Sequence, residues 1–482
     1  MPPSSAIEDN SLHSLTSEIT LSRELDLKDG LALGIGGMIG GGIFSVLGIA
    51  AGIAGPAVIF SFLFGGLIAV LTGHSYARLA VRHPKAGASF VYAHEAFGIR
   101  YLSGIVGWLL LSGYVVMCSL YAYSFGAYGA ALALLAFPNL ENSHLFGDLS
   151  PRLVIRVFLS VLLIFGFLNL NLRGARESAS LQKKIVATKV LVLVFFIVVG
   201  LLAFLNVGDK NLNNPSEGGF FPNGTLVIVL AAVLTFGAFE GFELISNAAE
   251  EMNEPEKNLP RSIYGSIFCV WIIYILVAFV AVASLLYTAF KDEKVAEYAL
   301  AAAAEPMLGR MGFILIALGA AFSTASAFNA SLYGSSRMAY SMGSEEYSML
   351  PKKFAELHST TRIPSFSLRI VAVSVVLLVL SADLETLASL GSIAFLSDFL
   401  VVNLSAVRLR LRNEADHILI ICILASLLCF VAIGVYYYYY IFIEEKLGLV
   451  MILLLYYLIV AILTGISLRR NAHTEAVVEV FP

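Results

Sequence analysis

Residues 34–44 read GIGGMIGGGIF, with six glycines among the nine positions from Gly34 to Gly42. They lie inside an apolar segment, residues 30–54, that is long enough to cross a bilayer as a helix. Each glycine costs about 1 kcal/mol relative to alanine in a helix interior. Two interpretations fit: close packing of helices through small residues, or a broken helix whose free backbone groups line a polar cavity.

A second apolar segment, residues 225–249, is interrupted in a similar way. It contains the sequence TFGAFEGFE at 235–243, with two glycines and two carboxylates near its middle. Irregular backbone at membrane depth survives only where it lines a cavity or is buried in protein. The second interruption therefore favours the broken-helix interpretation of both segments.

The rest of the chain has the composition of a protein embedded in lipid. Hydrophobic residues make up 59% of its 482 residues and charged residues 13%, and the mean hydropathy is +0.85. We predict an all-α polytopic membrane protein with about twelve transmembrane helices, each of roughly 20 residues or more. The predicted spans are 30–54, 56–80, 101–136, 153–172, 184–206, 225–249, 262–289, 308–341, 366–382, 386–407, 417–441 and 446–468.

The basic residues indicate how these spans are oriented. With a cytosolic N-terminus, 22 of the 30 lysines and arginines fall in cytosolic segments and seven in outside segments. This bias follows the positive-inside rule, so we expect a multi-pass protein of the plasma membrane with both termini in the cytosol. Residues 1–24 have no signal-peptide pattern and are predicted to form a disordered cytosolic tail, and residues 471–482 a second cytosolic tail.

Several classes of function find no support in the sequence. The basic residues form no stripe that could follow a phosphate backbone, so we expect no nucleic-acid partner. The sequence has no His, Cys or Asp cluster with metal-ligand spacing, and we expect neither an enzyme nor a bound metal or cofactor. A channel would be expected to have rings of charge and no occluded site.

The positions of the two interruptions point to a substrate site. They fall in the first and sixth predicted spans, and five crossings are an odd number, so the second set of five helices is inverted relative to the first. Broken helices at matching positions of inverted halves indicate a site near the midplane. Free N–H groups at helix ends attract a carboxylate, and free carbonyls suit an ammonium, so a zwitterionic amino acid fits. We divide the chain into repeats at 25–206 and 207–412, and two peripheral helices at 413–470.

Five motifs in order resemble the amino acid, polyamine and organocation transporter family over most of residues 25–412. They are Gly40-Gly41-Gly42-Ile43-Phe44; the loop from Tyr76-Ala77-Arg78-Leu79 through Pro84 to Tyr92; Ala96-Phe97-Gly98 with Gly107-Trp108; Glu250 to Arg261; and Phe328-Asn329-Ala330-Ser331 with Ser336-Arg337. The resemblance implies a LeuT-like fold, which has five plus five inverted helices with broken helices 1 and 6, and an amino acid substrate.

The resemblance also implies which residues contact the backbone of the substrate. They are Met38, Ile39, Gly40, Gly41 and Gly42 in the first break, and Phe236, Gly237, Ala238, Phe239 and Glu240 in the second. Some exchangers of the family carry a gating tryptophan where this chain has Gly237, so their aromatic clamp on a guanidinium or diamine is missing here. Two interpretations of Glu240 stay open: it holds a cationic substrate side chain, or it is a protonated or hydrogen-bonded structural group.

Lys189 lies within the fifth predicted span. It either snorkels toward the headgroups or reaches the first break with its ammonium. The resemblance to proton-coupled, ApcT-like members favours the second interpretation, with Lys189 contacting the carbonyl of Gly36 and a hydroxyl of the eighth helix in place of a sodium ion. The candidate hydroxyls are Ser323, Thr324 and Ser326.

A buried lysine can exchange a proton near neutral pH, because desolvation disfavours its charged form. We therefore expect amino acid import coupled to protons by alternating access, with an amino acid or polyamine exchanger as the alternative. Two further titratable residues lie in predicted spans: Asp398, which either pairs with a hydroxyl or lines the pathway, and His74, expected at the interface. The side-chain preference, the coupling stoichiometry and the oligomeric state stay open.

Overall fold

The computed structural model describes residues 25–85, 87–141, 149–173, 175–208, 211–212, 214, 216, 218–344, 347–358, 363–409 and 416–480. All regular elements in these ranges are helical, and one isolated bridge joins Leu25 to Met252. The disordered tail predicted at 1–24 lies outside the described residues. The α-helices are α1 (Leu27–Met38), α2 (Leu47–Ala54), α3 (Val58–Arg82), α4 (Ala88–Phe97), α5 (Arg100–Ala136), α6 (Pro151–Arg173), α7 (Ala175–Val207), α8 (Leu226–Phe236), α9 (Glu243–Asn247), α10 (Pro255–Ser284), α11 (Glu293–Glu297), α12 (Ala299–Gly343), α13 (Ser365–Ser381), α14 (Leu384–Arg408), α15 (Asp416–Phe442) and α16 (Leu447–Val480).

The length and hydropathy of these helices confirm a polytopic α-helical membrane protein. Within the described residues, ten helical stretches are long and apolar enough to cross a membrane. The first stretch, Leu27–Arg82, contains α1, α2 and α3, with the turn Gly55–Ala57 between α2 and α3, and Ser365–Ser381 is a shorter apolar helix. The count of twelve crossings and the inverted repeat stay predictions.

Contacts between helix ends define two opposite ends of the bundle. At the end where the described chain begins, which we call the terminal end, the backbone N–H of Leu25 donates to the carbonyl of Glu251 at 3.0 Å. At the opposite end, which we call the far end, the guanidinium of Arg156 pairs with the carboxylate of Glu297 at 2.9 Å. The two interrupted helices run between these ends, so their breaks lie at mid-depth.

Burial places the two interrupted helices at the centre of the bundle. In the first, every residue from Gly36 to Gly48 is buried. In the second, Leu226–Asn247, 94% of the apolar portion is buried inside the protein, against 17% in Pro151–Arg173 and 22% in Leu447–Arg470. The less buried helices expose large apolar side chains, such as Phe158 and Met451. An exposed face of this kind suits contact with lipid chains, whereas the buried central helices can hold polar groups away from lipid.

Candidate functional site

The first break follows directly from the glycine-rich sequence. Helix α1 ends at Met38, Ile39 has an extended backbone (φ −74°, ψ 96°), and a π-turn runs from Gly42 to Val46 before α2. The extended residue turns backbone carbonyls away from the helical ladder, so they need other partners.

The ammonium of Lys189, on α7, is a hydrogen-bond donor to these carbonyls. Its side chain is 1% exposed, and its Nζ donates to the carbonyl of Gly36 at 2.6 Å and to that of Ile39 at 2.7 Å. A longer contact of 3.4 Å joins Nζ to the Oγ of Ser326, and the Oγ of Ser323 donates to Ile39 O at 3.0 Å. Lys189 therefore points into the first break instead of toward either membrane surface.

The second break has the opposite chemical character. Helix α8 ends at Phe236, a single 3₁₀ turn covers Gly237–Phe239, and Glu240 is extended (φ −65°, ψ 141°). Gly241 follows with φ +124°, a conformation that favours glycine. Here backbone donors are held by side chains, since the N–H of Gly241 donates to the carboxylate of Glu243 at 2.7 Å.

The two breaks contact each other through their backbones. A Cβ placed on Gly42 would lie 2.4 Å from the Cα of Ala238, and one placed on Gly37 would lie 2.9 Å from the Cα of Gly241. Both distances are shorter than real Cβ contacts, so only glycine allows this approach. The glycines of the first stretch therefore serve both to break the helix and to bring it against the second break.

A different face of the breaks carries polar groups that have no partner. The Oγ of Ser124, on α5, is buried and unpartnered within the described residues, and it lies 3.0 Å from the position of a Cβ on Gly41. Both carboxylate oxygens of Glu240 are also buried without a hydrogen-bond partner there, and the residue is 2% exposed. Tyr121 contacts the Cβ position of Gly41 at 3.0 Å, and the adjacent Gly42 approaches Ala238, two residues before Glu240. We call Gly41, Tyr121, Ser124 and Glu240 the central polar site.

The remaining sequence-predicted residues divide between those near Lys189 and those elsewhere. Ser323 and Ser326 contact the Lys189 cluster, whereas the hydroxyl of Thr324 donates to carbonyls of its own helix at Ala320 (2.9 Å) and Ala321 (3.0 Å). In the second break, the N–H of Gly237 donates to the Oγ of Ser392 at 3.2 Å. The ring of Phe236 packs on Phe399, and that of Phe239 on Tyr274.

Sequence reasoning missed one residue that touches both breaks. The hydroxyl of Tyr274, on α10, donates toward Met38 O at 2.7 Å and Ala238 O at 3.0 Å. The only available signal was a tyrosine in the middle of an apolar span, and most such residues are ordinary core side chains.

The other two titratable residues of the predicted spans form their hydrogen bonds with residues outside the two breaks. Asp398 is fully buried and accepts hydrogen bonds from Tyr76 OH at 3.0 Å and Ser89 Oγ at 2.7 Å. The Nδ1 of His74 lies 2.6 Å from the hydroxyl of Tyr264. Asp398 thus joins α3, α4 and α14, and the ring of its partner Tyr76 packs edge-on against Phe242, just past the second break, at a centroid distance of 5.4 Å.

A cavity of about 590 Å³ lies at the far end of the bundle. Tyr123 and Glu297 line it, and both bind Arg156 of α6: its guanidinium pairs with Glu297 at 2.9 Å and hydrogen-bonds Tyr123. The Oγ of Ser45, just past the first break, donates to the backbone carbonyl of Glu297 at 3.1 Å. Glu297 thus joins the wall of this cavity to α6 and to the segment just past the first break.

Comparison with known proteins assigns the chain to a family. The family model described as amino acid permease matches residues 25–463. The Inner membrane transport protein YbaT of Escherichia coli (strain K12) is 30% identical over 411 residues, which cover 85% of this chain and 89% of that protein. The Methylthioribose transporter of Bacillus subtilis (strain 168) is 29% identical, with 82% of each chain covered. The chloroplastic Cationic amino acid transporter 7 of Arabidopsis thaliana is 30% identical over 79% of this chain and 64% of that protein.

Proposed function

Since this chain belongs to the amino acid permease family, and is thus a membrane transporter of amino acids and not an enzyme, we propose that it imports amino acids together with protons by alternating access. The substrate would lie at the two breaks, with its ammonium and carboxylate on those backbone groups of the residues from Met38 to Gly42 and from Phe236 to Glu240 that protein side chains do not already occupy. We place the protein in the plasma membrane with both termini in the cytosol, on the strength of its positive-inside charge bias.

The observation that carries proton coupling is the position of the Lys189 ammonium. It lies at 2.6 and 2.7 Å from two carbonyls of the first break, and among the described residues no carboxylate pairs with it. Neutral oxygens stabilise a buried ammonium only partly, since burial without a counter-charge costs several kcal/mol. A lysine held in this way can release its proton and take it up again.

Loss of that proton would change the first break directly. A neutral amine has two N–H donors in place of three and no charge, so it binds Gly36 O and Ile39 O more weakly. The extended segment at Ile39 would then be freer to move relative to α7. Loading of the proton on one side and its release on the other would bias which side of the break is open, which is the requirement for coupling.

Purified protein in liposomes with an imposed inward proton gradient provides the test. We expect Lys189→Ala to abolish accumulation of a labelled amino acid, whereas Lys184→Ala, which removes an exposed lysine of the same helix, retains it. Replacement of sodium by choline leaves wild-type uptake unchanged. Sodium-dependent wild-type uptake, or full accumulation by Lys189→Ala, would refute proton coupling through this residue.

A second candidate function is exchange of a cationic amino acid or polyamine. It is favoured by Glu240, whose two buried oxygens lack a partner among the described residues, because a buried carboxylate is costly unless a cation or donor meets it. The relative named Cationic amino acid transporter 7 supports a cationic substrate, while the relative named Methylthioribose transporter indicates that substrates differ among relatives of this chain. Liposomes preloaded with lysine separate the two functions: an exchanger takes up label only when preloaded, and a symporter takes it up without preloading.

A further inference from the structure

Tyr274 lies where the two breaks come closest together. Its side chain is fully buried, and its hydroxyl is 2.7 Å from Met38 O in the first break and 3.0 Å from Ala238 O in the second. The ring is fixed from the side by edge-on contacts with Phe62 and Phe239, at centroid distances of 5.7 and 5.2 Å. The hydroxyl is thus held in one place relative to both segments.

A core tyrosine needs only one acceptor for its single proton. Tyr274 has two, one on the last residue of α1 and one in the 3₁₀ turn Gly237–Phe239, so the hydroxyl links two segments that no common secondary structure holds together. The same pair of segments is joined by the backbone approaches of Gly42 to Ala238 and of Gly37 to Gly241. Three contacts therefore hold the first break at a fixed separation from the second.

That separation matters if the substrate is bound as proposed above. An α-amino acid carries its ammonium and its carboxylate on one carbon, whereas a β-amino acid places one more C–C bond of about 1.5 Å between them. Two segments at a fixed distance fit one of these spacings and not the other, because hydrogen bonds weaken steeply when donors and acceptors are displaced.

We propose that Tyr274 is a positioning residue that sets the spacing of the two breaks and thereby selects α-amino acids over β-amino acids. This inference rests on the proposed binding of an amino acid at the breaks. It makes Tyr274 a determinant of specificity through the backbone of the substrate, distinct from any residue that contacts the substrate side chain.

Competition between alanine and β-alanine tests this role in liposomes, with the ratio of their kcat/KM values as the readout. We expect Tyr274→Phe to lower the preference for alanine about tenfold, because removal of the hydroxyl frees Met38 O and Ala238 O from each other. Tyr128→Phe is the matched control: its hydroxyl donates to Phe44 O on the first segment and makes no recorded hydrogen bond to the second break within the described residues, so the wild-type ratio is expected to persist. A general loss of packing would lower both rates without changing their ratio.

A second variant covers the case in which Tyr274→Phe fails to fold. Gly37→Ala places a Cβ 2.9 Å from the Cα of Gly241 and pushes the segments apart, so it is also expected to lower the ratio. A wild-type ratio in either purified variant would overturn the inference. Wild-type protein that transports amino acids without preferring alanine would overturn it as well, while the absence of any amino acid transport would overturn the proposed function and this inference with it.

Discussion

The two helix breaks contact each other but differ in chemistry. The first offers carbonyls: those of Gly36 and Ile39 are occupied by the ammonium of Lys189. The second presents carboxylates: that of Glu243 holds the N–H of Gly241, and that of Glu240 has no partner in the described part of the chain. The protein thus supplies its own cation to one break and leaves a potential negative charge at the other.

This difference indicates that the two breaks have different roles in transport. The carbonyls around Lys189 are already satisfied, so a substrate ammonium gains little there, and that region is suited to carrying the proton. The Glu240 carboxylate lacks hydrogen-bond partners among the described residues. A buried polar group without partners is destabilising, and a ligand that supplies a donor or a positive charge would stabilise it. We infer that chemistry of the substrate side chain belongs to the second break and proton coupling to the first.

The largest expected effect is the loss of substrate affinity when a side chain is added at Gly41, in the part of the first break that belongs to the central polar site. Gly41 has an ordinary right-handed backbone (φ −57°, ψ −23°), so the backbone itself accommodates Gly41→Val. The added side chain would crowd Tyr121 and Ser124, which both lie 3.0 Å from the Cβ position and closer than an ordinary contact. We expect a loss of substrate affinity of at least about 100-fold, or about 2.7 kcal/mol, measured by equilibrium binding to purified protein.

Gly166→Val on α6 is the control for that substitution. Nothing lies within 4 Å of a Cβ at Gly166, so its affinity should match that of the wild type. Normal amino acid binding by well-folded Gly41→Val protein would show that backbone groups near Gly41 are not substrate ligands, and it would remove the first break from the binding site.

A smaller and more selective effect is expected at the second break. If Glu240 pairs with a cationic side chain, Glu240→Gln should weaken lysine binding about 10- to 100-fold, because the buried ammonium loses its counter-charge. Leucine binding should change less than about twofold. The measurement is competition of each amino acid against a common labelled substrate.

Glu243→Gln provides the contrast within the same break. Because the Glu243 carboxylate accepts from Gly241 N, its amide should impair lysine and leucine binding equally, through the backbone. Equal losses for both substrates in Glu240→Gln would return that residue to a structural role, and a lysine-selective loss in Glu243→Gln would transfer the cation site to the neighbouring carboxylate.

Much of the fold could be predicted because its signals are local. Long apolar runs identify membrane helices, and clustered glycines within such runs predicted the non-helical backbone at Ile39 and at Glu240. Lys189 is recognisable for the same reason, since a charge inside an apolar run is costly. These features are visible in single segments of sequence, without knowledge of how helices pack.

Other features depend on packing and could not be predicted. Ser323, Thr324 and Ser326 were equivalent candidates in the sequence, but residues three apart share a helix face while Thr324 points about 100° away, and only the packed structure identifies the face that meets Lys189. Tyr274 likewise carries no local signal. Its partners lie 236 and 36 residues away in the chain, so its bridging position follows only from the assembled bundle.

The smallest expected effect separates the two serines that do meet Lys189. Ser323 donates to Ile39 O and so competes with the ammonium for that acceptor, whereas Ser326 lies 3.4 Å from Nζ as an oxygen that favours the charged form.

Ser323→Ala should therefore leave Ile39 O more available and stabilise protonated Lys189, and Ser326→Ala should destabilise it. A hydrogen bond of this kind contributes about 1 kcal/mol or less, so the pH of half-maximal uptake should rise by up to about 0.7 unit in Ser323→Ala and fall by less in Ser326→Ala. Thr324→Ala, which removes only bonds within α12, should leave that pH unchanged. The measurement is uptake across a pH series in liposomes at a constant gradient. Shifts of the same sign in both serine variants would contradict the opposed roles of the two hydroxyls. They would also contradict the proposal that protonation of Lys189 acts on the first break through Ile39 O.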